Sequence, residues 1–384
     1  MTEKLYYEDS HLFDFFATVL SCTECEEGYA VVIDRTAFFP EGGGQSADTG
    51  TIATALVRDV QEKDGQIIHY TDSPLEPKQL CRCRVDAEQR LRRMQNHSGE
   101  HIVSGLVHNS YGYNNVGFHM GENCMTIDFS GELTWEQLEQ IETAANKTVC
   151  ANLPVKTWFP EPAELEKMNY RSKLELTHDV RIVEIGDIDR CACCAPHVSF
   201  TGEIGIIKIL SAQRHRAGTR VELVCGMDAL DDYRVMQTNV TDISMLLSAK
   251  RKQTSEAVKH LLEDRDALRY ALVKAENELV EAKVAAMGYT EGNICLFDTS
   301  ENEAARRELV NRLVDKCSGA AAVFSGSDSE GYKYIIGSRN IDLRAKAKEI
   351  NGAIEGRGGG KPEMIMGSAS AARKEIEDYF RGQI

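Results

Sequence analysis

Apolar and polar positions change their period several times along the chain, and each change marks a different kind of element. In residues 1 to about 90, short apolar runs alternate with turn residues, as in Tyr29-Ala30-Val31-Val32-Ile33-Asp34, Gly50-Thr51-Ile52 and Gln66-Ile67-Ile68-His69-Tyr70. Runs this short predict strands, and together a small β-barrel-like domain. From Ala87 the period lengthens. Leu91, Met94, His97 or Ser98, His101, Ile102, Gly105 and Leu106 recur at spacings of three and four, which predicts a long helix over 87–109. A second helix is predicted over 135–151, with Thr134 as the residue whose hydroxyl caps its first free amides. Strands predicted over 180–185, 205–211 and 219–225 make 91–227 an α+β domain.

Residues 228–287 contain no proline, and Val258, Leu261, Leu268, Leu272, Ala275, Leu279, Ala282 and Ala286 fall on one heptad seam interrupted by Arg265. This pattern predicts a long helix or coiled-coil linker, or a helical hairpin. The seam needs a partner, either residues 243–247 folded back or the same helix of a second chain. Turn signals are sparse, which favours a homodimer through this segment. Beyond Gly288, strands predicted over 294–297, 321–324 and 334–337 alternate with helices beginning at Glu303 and Leu343, giving a compact C-terminal α/β domain. The expected fold is therefore α+β and multidomain, divided at 1–90, 91–227, 228–287 and 288–384.

Composition narrows the class. A chain of 384 residues that is 42% hydrophobic has material for real cores, which excludes disordered and fibrous classes. No run approaches the roughly 20 apolar residues of a membrane span. The apolar stretch 12–20 is broken by Asp14 and follows Glu3, Glu8 and Asp9, unlike a signal peptide. Twelve scattered cysteines in a chain of this length fit a reduced cytoplasmic compartment better than a disulfide framework. Forty-four basic against sixty acidic side chains, a net charge of −16, argue against a general nucleic-acid coat protein. The excess is local: residues 1–227 hold 21 basic and 34 acidic side chains, whereas 339–361 hold six basic and three acidic. A phosphate backbone is expected at that second stretch.

Two histidine-containing pairs carry the chemistry. His97 and His101 stand four apart on one helical face, where both imidazoles can reach one ion. Cys193 and His197, again four apart, complete three nitrogens and one thiolate, a donor set that suits Zn²⁺ and not Mg²⁺ or Ca²⁺. One Zn²⁺ per chain is expected. Cys191 and Cys194 are alternatives for the thiolate, though the spacing to His197 favours Cys193. Phe38-Phe39-Pro40-Glu41-Gly42-Gly43-Gly44-Gln45-Ser46-Ala47-Asp48 follows a strand; its glycines allow positive φ and close backbone approach to a ligand, and equally a tight hairpin turn.

These pairs, with Val198-Ser199-Phe200-Thr201-Gly202-Glu203-Ile204-Gly205 trailing and the glycine segment preceding, resemble the alanyl-tRNA editing proteins of the AlaX type and the editing domain of alanyl-tRNA synthetase. Gly356-Arg357-Gly358-Gly359-Gly360-Lys361 resembles the glycine-rich signature of the DHH-associated domain in the synthetase and in long AlaX proteins. The resemblance spans nearly the whole chain in family order. It implies a zinc-dependent deacylase that hydrolyses mischarged tRNA(Ala), chiefly Ser-tRNA(Ala) and also Gly-tRNA(Ala), without ATP. It further implies Thr36, Gly43, Gly44, Gln45, Asp48 and His119 as substrate contacts and Gly356, Arg357, Gly358, Gly359, Gly360 and Lys361 as tRNA contacts. Zinc would activate water, polarise the ester carbonyl or hold the substrate's amino group; the sequence leaves that choice open.

Two departures stand out. The synthetase's Cys-Gly-Gly-Thr-His is here Cys193-Cys194-Ala195-Pro196-His197, and Glu100 replaces a common threonine before the second histidine. Glu100 lies about 100° around the helix from His101, which leaves it either a general base or an orienting group. The string His97-x-x-Glu100-His101 also describes inverted zinc peptidases, but those take a carboxylate as third ligand and have no use for the glycine segments. A four-ligand zinc that only staples the fold of a tRNA-binding protein is a third reading. A phosphoesterase of the DHH class is a fourth, and it lacks an Asp-His-His string.

Overall fold

The structure, a computed structural model, describes residues 2–121, 123–172, 180–299 and 302–382. The chain folds as two compact units, Met1–Thr241 and Asp242–Ile384.

In the first unit, strands β1 (Asp14–Cys25), β2 (Gly28–Ile33), β3 (Gly50–Ile52), β4 (Ala55–Lys63), β5 (Gln66–Thr71) and β6 (Leu80–Val85) close a barrel in the order β1-β2-β5-β4-β3-β6. Alternation sends Phe15, Ala17 and Val19 inward, against Val31, Ile33, Val57, Val60 and Ile67, and leaves Phe16 and Leu20 outside, as the two-residue period of a strand requires. Helix α1 (Ala87–Tyr111) follows the barrel directly. The Asp86 carboxylate accepts from the Gln89 amide at its start, and Gly112 ends it at a φ of 71°; a cap of the first kind contributes about 1 kcal/mol.

Past α1 come β7 (Asn115–Met120), β8 (Met125–Phe129) and α2 (Trp135–Cys150), whose Thr134 and Gln137 form a reciprocal capping box. A small sheet of β9 (Val155–Trp158), β10 (Ile182–Ile185) and β11 (Asp189–Ala192) precedes β12 (Ile207–His215) and β13 (Gly218–Cys225), which join the earlier pair in the order β12-β13-β8-β7. One core unites them: Met94, Ile102, Val103 and Val107 of α1 pack with Ile141 and Ala145 of α2 and with Ile127, Phe129, Val221 and Leu223 of the sheet. The helix predicted over 87–109 runs two residues further, and β11, which the apolar pattern does not announce, is an added strand.

Residues 228–287 form two helices, α3 (Gly226–Leu246) and α4 (Thr254–Ala285), and not one. The break contains Ser248 at a φ of +49° and a short 3₁₀ turn over Arg251–Gln253. Residues 243–247 do not cover the heptad seam, which corrects the hairpin reading: Leu268 and Leu272 are 71% and 59% exposed, and Leu246 is 84% exposed. The homodimer expectation gains no support from the chain's own packing.

The second unit continues with β14 (Ile294–Phe297), α5 (Glu303–Leu313), β15 (Ala320–Ser327), β16 (Gly331–Ser338), α6 (Leu343–Ala353), β17 (Gly356–Lys361), β18 (Met364–Ala369) and α7 (Arg373–Arg381). Its five strands lie in the order β14-β15-β16-β18-β17. Among the described residues of this unit only β14 and β15 pair in parallel. Among the described residues no helix is long and apolar enough to cross a membrane.

Candidate metal centre

Helix α1 supplies half of the centre. From Met94 to Gly105 it is buried on every side, because the barrel, the four-stranded sheet and the β11 loop all close around it. Two glycines make that closure possible. A Cβ on Gly99 would stand 2.3 Å from Cys225 Sγ, and one on Gly105 2.4 Å from the Ile188 carbonyl oxygen. The second approach brings Asp189, at the start of β11, against His101.

Polar side chains along this buried stretch are matched by partners, as burial demands. Gln95 donates to the Glu203 carbonyl at 2.8 Å, and Asn96 accepts from the Cys225 amide at 2.8 Å. The histidines follow a single pattern. His97 Nδ1 meets Gln45 Oε1 at 3.0 Å, His101 Nδ1 meets Asp189 Oδ2 at 2.8 Å, and His197 Nδ1 meets Ser98 Oγ at 3.0 Å. With every Nδ1 spent on an oxygen, each Nε2 is left for the interior of the group. His97 Nε2 lies 3.5 Å and His197 Nε2 3.4 Å from Cys193 Sγ.

The ligand atoms of His97, His101, Cys193 and His197 all lie within 4.8 Å of one another. Tetrahedral zinc with bonds of about 2.0–2.1 Å to nitrogen and 2.3 Å to sulfur places nitrogen and sulfur about 3.6 Å apart, so the observed spacing fits the ion. The donor set and its oxygen-anchored imidazoles are the usual surroundings of a zinc site.

Electrostatics agree with that fit. Burial raises a thiol, but the imidazoles of His97 and His197 outweigh it and hold Cys193 well below its ordinary value. Burial pushes His197 down to about 3, against the attraction of Cys193. His101 goes the other way, because its bonds to Asp189 and Cys193 overcome burial. Asp189 is itself paired with Arg171 at 2.7 Å. A thiolate among imidazoles is the form a metal ion takes up.

The Cys193–His197 loop is fixed from outside by Arg181. This buried guanidinium donates to the carbonyl oxygens of Cys193 and Ala195 at 3.1 and 2.9 Å and lies 5.2 Å over the Tyr7 ring. Of the competing thiols, Cys191 lies on the far side of His101, within reach of Asp189 and not of the other histidines. Cys194 projects from the loop onto the glycine turn.

Other residues expected at the site separate into groups. Gly43 and Gly44 have φ of 63° and 83°; a Cβ on Gly44 would meet Phe118 at 2.8 Å, and the Phe118 ring lies 5.1 Å from His97. This turn and Gln45 therefore sit on the metal group. Glu100 does as well. It is buried, its Oε1 accepts from Ser104 at 2.6 Å and from Asn115, and its Oε2 lies 3.8 Å from His101 Nε2.

Asp48 instead faces the protein interior, where it takes the Phe39 amide at 2.7 Å and pairs with the fully buried Arg90. Thr36 lies within the barrel and meets His69 Nε2 at 2.8 Å. The structure does not bring His119 to the group: it pairs with Thr126 across the sheet, is exposed, and points to the face opposite Phe118. Gly356, Arg357, Gly358, Gly359, Gly360 and Lys361 form β17 of the second unit, an edge strand paired on one side only with β18. A Cβ on Gly358 would fall 2.3 Å from the Tyr334 hydroxyl.

Known proteins are similar to this chain in sequence. The family described as tRNA synthetases class II (A) matches residues 2–89, the threonyl and alanyl tRNA synthetase second additional domain matches 180–221, and the DHHA1 domain matches 279–381. The alanyl-tRNA editing protein AlaX-L of Pyrococcus horikoshii is 28% identical over 398 residues, covering 98% of this chain and 97% of that protein. The chain is similar to an alanyl-tRNA editing protein over nearly the whole of both chains. Two alanine–tRNA ligases are also similar: that of Natronomonas pharaonis at 30% identity over 94% of this chain, and that of Halorubrum lacusprofundi at 29% over 97%. This chain spans only 40% and 42% of those ligases.

Proposed function

We propose that the chain is a zinc-dependent deacylase acting in trans on mischarged tRNA(Ala), with Ser-tRNA(Ala) as its main substrate and Gly-tRNA(Ala) as a second. The observation that carries this is the set of three imidazoles, each anchored through Nδ1, whose remaining nitrogens converge with Cys193 directly beneath the Gly42–Gln45 turn. When bound there, zinc supplies a Lewis acid for an ester carbonyl or for water.

The chain's own residues do the remaining work. Gln45, Asp189 and Ser98 fix the imidazole tautomers. Glu100, held on one oxygen by Ser104 and Asn115 with the other beside the ligand group, accepts the proton of the attacking water. The backbone of Gly43 and Gly44 admits the aminoacyl end, and Gln45 bounds it. Serine is favoured over alanine where its hydroxyl meets polar groups that alanine would leave unpaired. The exposed strand Gly356–Lys361, whose outer edge offers backbone amides between Arg357 and Lys361, binds the tRNA away from its acceptor end. A charged-tRNA substrate supports a cytoplasmic reading.

A deacylation assay on seryl-, glycyl- and alanyl-tRNA(Ala), with and without a chelator, tests the reading. Seryl release should exceed alanyl release by at least tenfold and stop on chelation. Cys193→Ala should lose the metal by elemental analysis, whereas Glu100→Gln should keep it and lose turnover. Equal rates on seryl and alanyl esters, or cleavage of a peptide panel, would overturn the proposal.

A further inference from the structure

A cavity of about 270 Å³ lies beside α1, one helical turn before His97. Arg93 and Asn96 of the helix line it, with Ser46 from the end of the glycine turn and Met120, Cys124 and Met125 from the facing ends of β7 and β8. Arg93 and His97 stand four apart on one helical face, about 6 Å along the axis. The Met120 amide donates to the Gly44 carbonyl at 3.1 Å, so the cavity adjoins the turn that covers the metal group.

Charge in this wall is unbalanced. Arg92 is matched, pairing with Asp228 at 2.7 Å and Asp231 at 2.9 Å. Arg93 is not. Its carboxylate partner, Asp48 at 3.6 Å, is also the partner of the fully buried Arg90, so one negative charge serves two guanidinium groups. Asp86, the next acid along the helix, is spent on the Gln89 amide. The Arg93 side chain is only 15% exposed, and a charge so covered is screened little by solvent ions. In the fold it uses Nη1 alone, on the Ala47 carbonyl at 2.5 Å and on Asp48. Among the described residues its Nε and Nη2 meet no protein acceptor. The same holds for Nε2 of Gln89, another lining residue, whose Oε1 accepts from Thr49 at 3.0 Å. Surplus positive charge with free donors along a cavity attracts an oxyanion, and the guanidinium fork matches phosphate.

We propose that this cavity is a phosphate subsite for the charged end of the substrate RNA, with Arg93 taking the backbone phosphate nearest the ester. The inference rests on the deacylase reading given above. A nucleotide carries its 5′-phosphate one sugar away from its 3′-ester, which matches a cavity one helical turn from the ligand histidines. Because Arg93 also holds the Ala47 carbonyl, the side chain that grips the phosphate is the one that fixes the end of the glycine turn.

The test uses the full chain loaded with zinc and a ladder of seryl esters on the terminal ribose of adenosine, of adenosine 5′-phosphate, and of a 5′-phosphorylated cytidylyl-adenosine. In wild type the first phosphate should raise kcat/KM at least tenfold, chiefly through KM, and added salt should shrink that step while sparing the adenosine ester. Arg93→Gln should abolish the step and raise KM for full seryl-tRNA(Ala) at least tenfold. Arg93→Lys, which keeps the charge and loses the fork, should retain part of the step. Zinc content and melting temperature are followed in both variants, since a merely structural role would lower all three esters by one factor. Equal phosphate steps in wild type and Arg93→Gln, an unchanged KM for seryl-tRNA(Ala), or a wild type indifferent to the first phosphate would overturn the subsite and leave the deacylase reading standing. A wild type that hydrolyses neither the ladder nor seryl-tRNA(Ala) would overturn that reading, and this inference with it.

Discussion

At the scale of single residues, the four donors that the structure gathers were legible and their supports were not. His97, His101, Cys193 and His197 announce themselves through fixed spacing on local chain, whereas Ser98 and Asp189 stand 99 and 88 positions from the histidines they meet, His197 and His101, and Arg171 acts through Asp189. Asp189 had a faint signal, four residues before Cys193 among acidic neighbours. No periodicity could say that Gly105 lets it reach His101. The support has a measurable consequence. Asp189→Asn keeps all four ligands but weakens the anchor of one imidazole, and removing such a partner usually costs 10- to 100-fold in metal affinity. Competition with a chromophoric chelator should show that loss in Asp189→Asn and none in Glu184→Gln, whose carboxylate pairs with Arg190 at the surface. Equal affinities in wild type and Asp189→Asn would make Asp189 a partner of Arg171 only.

At the scale of elements, period predicted type better than surroundings. Helix α1 was legible as a helix from its three-and-four spacing, but that spacing implies one apolar face, and the helix is buried all round from Met94 to Gly105. Its polar residues are interior because each finds a partner on a different neighbour, which a one-dimensional pattern cannot register. The barrel shows the same limit at His69, a strand residue that is wholly buried. Burial pushes its pKa down to about 4 from 6.5, against a weak bond to the Val31 carbonyl. The fold thus accepts the neutral ring. As pH falls below about 6.5 the unfolded chain takes up the proton first, and stability declines until the folded ring titrates near pH 4. The shift corresponds to about 3 kcal/mol across that window. His69→Gln, which keeps a polar partner for Thr36 but cannot titrate, should flatten the difference in denaturant stability between pH 7 and pH 4.5 by about 2.5 kcal/mol. An identical pH dependence in the two proteins would show that His69 is already charged in the fold.

At the scale of the molecule, the division of the chain bears on which piece carries each of the two candidate sites. Cutting at 227, where the sequence pattern changes, would remove groups that α1 needs: Arg92 pairs with Asp228 at 2.7 Å and Asp231 at 2.9 Å, and Asn96 donates to Asp228 at 2.5 Å. These bonds tie the first turn of α3 to the helix that carries His97 and His101, so the separable piece runs through Leu246, where α3 ends. A protein of residues 1–246 should keep its zinc and its hydrolysis of a short aminoacyl-RNA, while KM for full tRNA(Ala) rises at least tenfold. Salt dependence then shows where the lost affinity resided. Each phosphate neutralised contributes about −0.9 to the slope of log affinity against log salt on duplex nucleic acid. Replacing both Arg357 and Lys361 by alanine in the full chain should flatten that slope by about two and leave hydrolysis of the short RNA unaltered, because both side chains lie on the edge strand of the second unit. A slope unchanged by the double substitution would move the phosphate contacts off β17, to Arg339, Arg344, Lys346 and Lys348, the remaining basic residues of the same stretch.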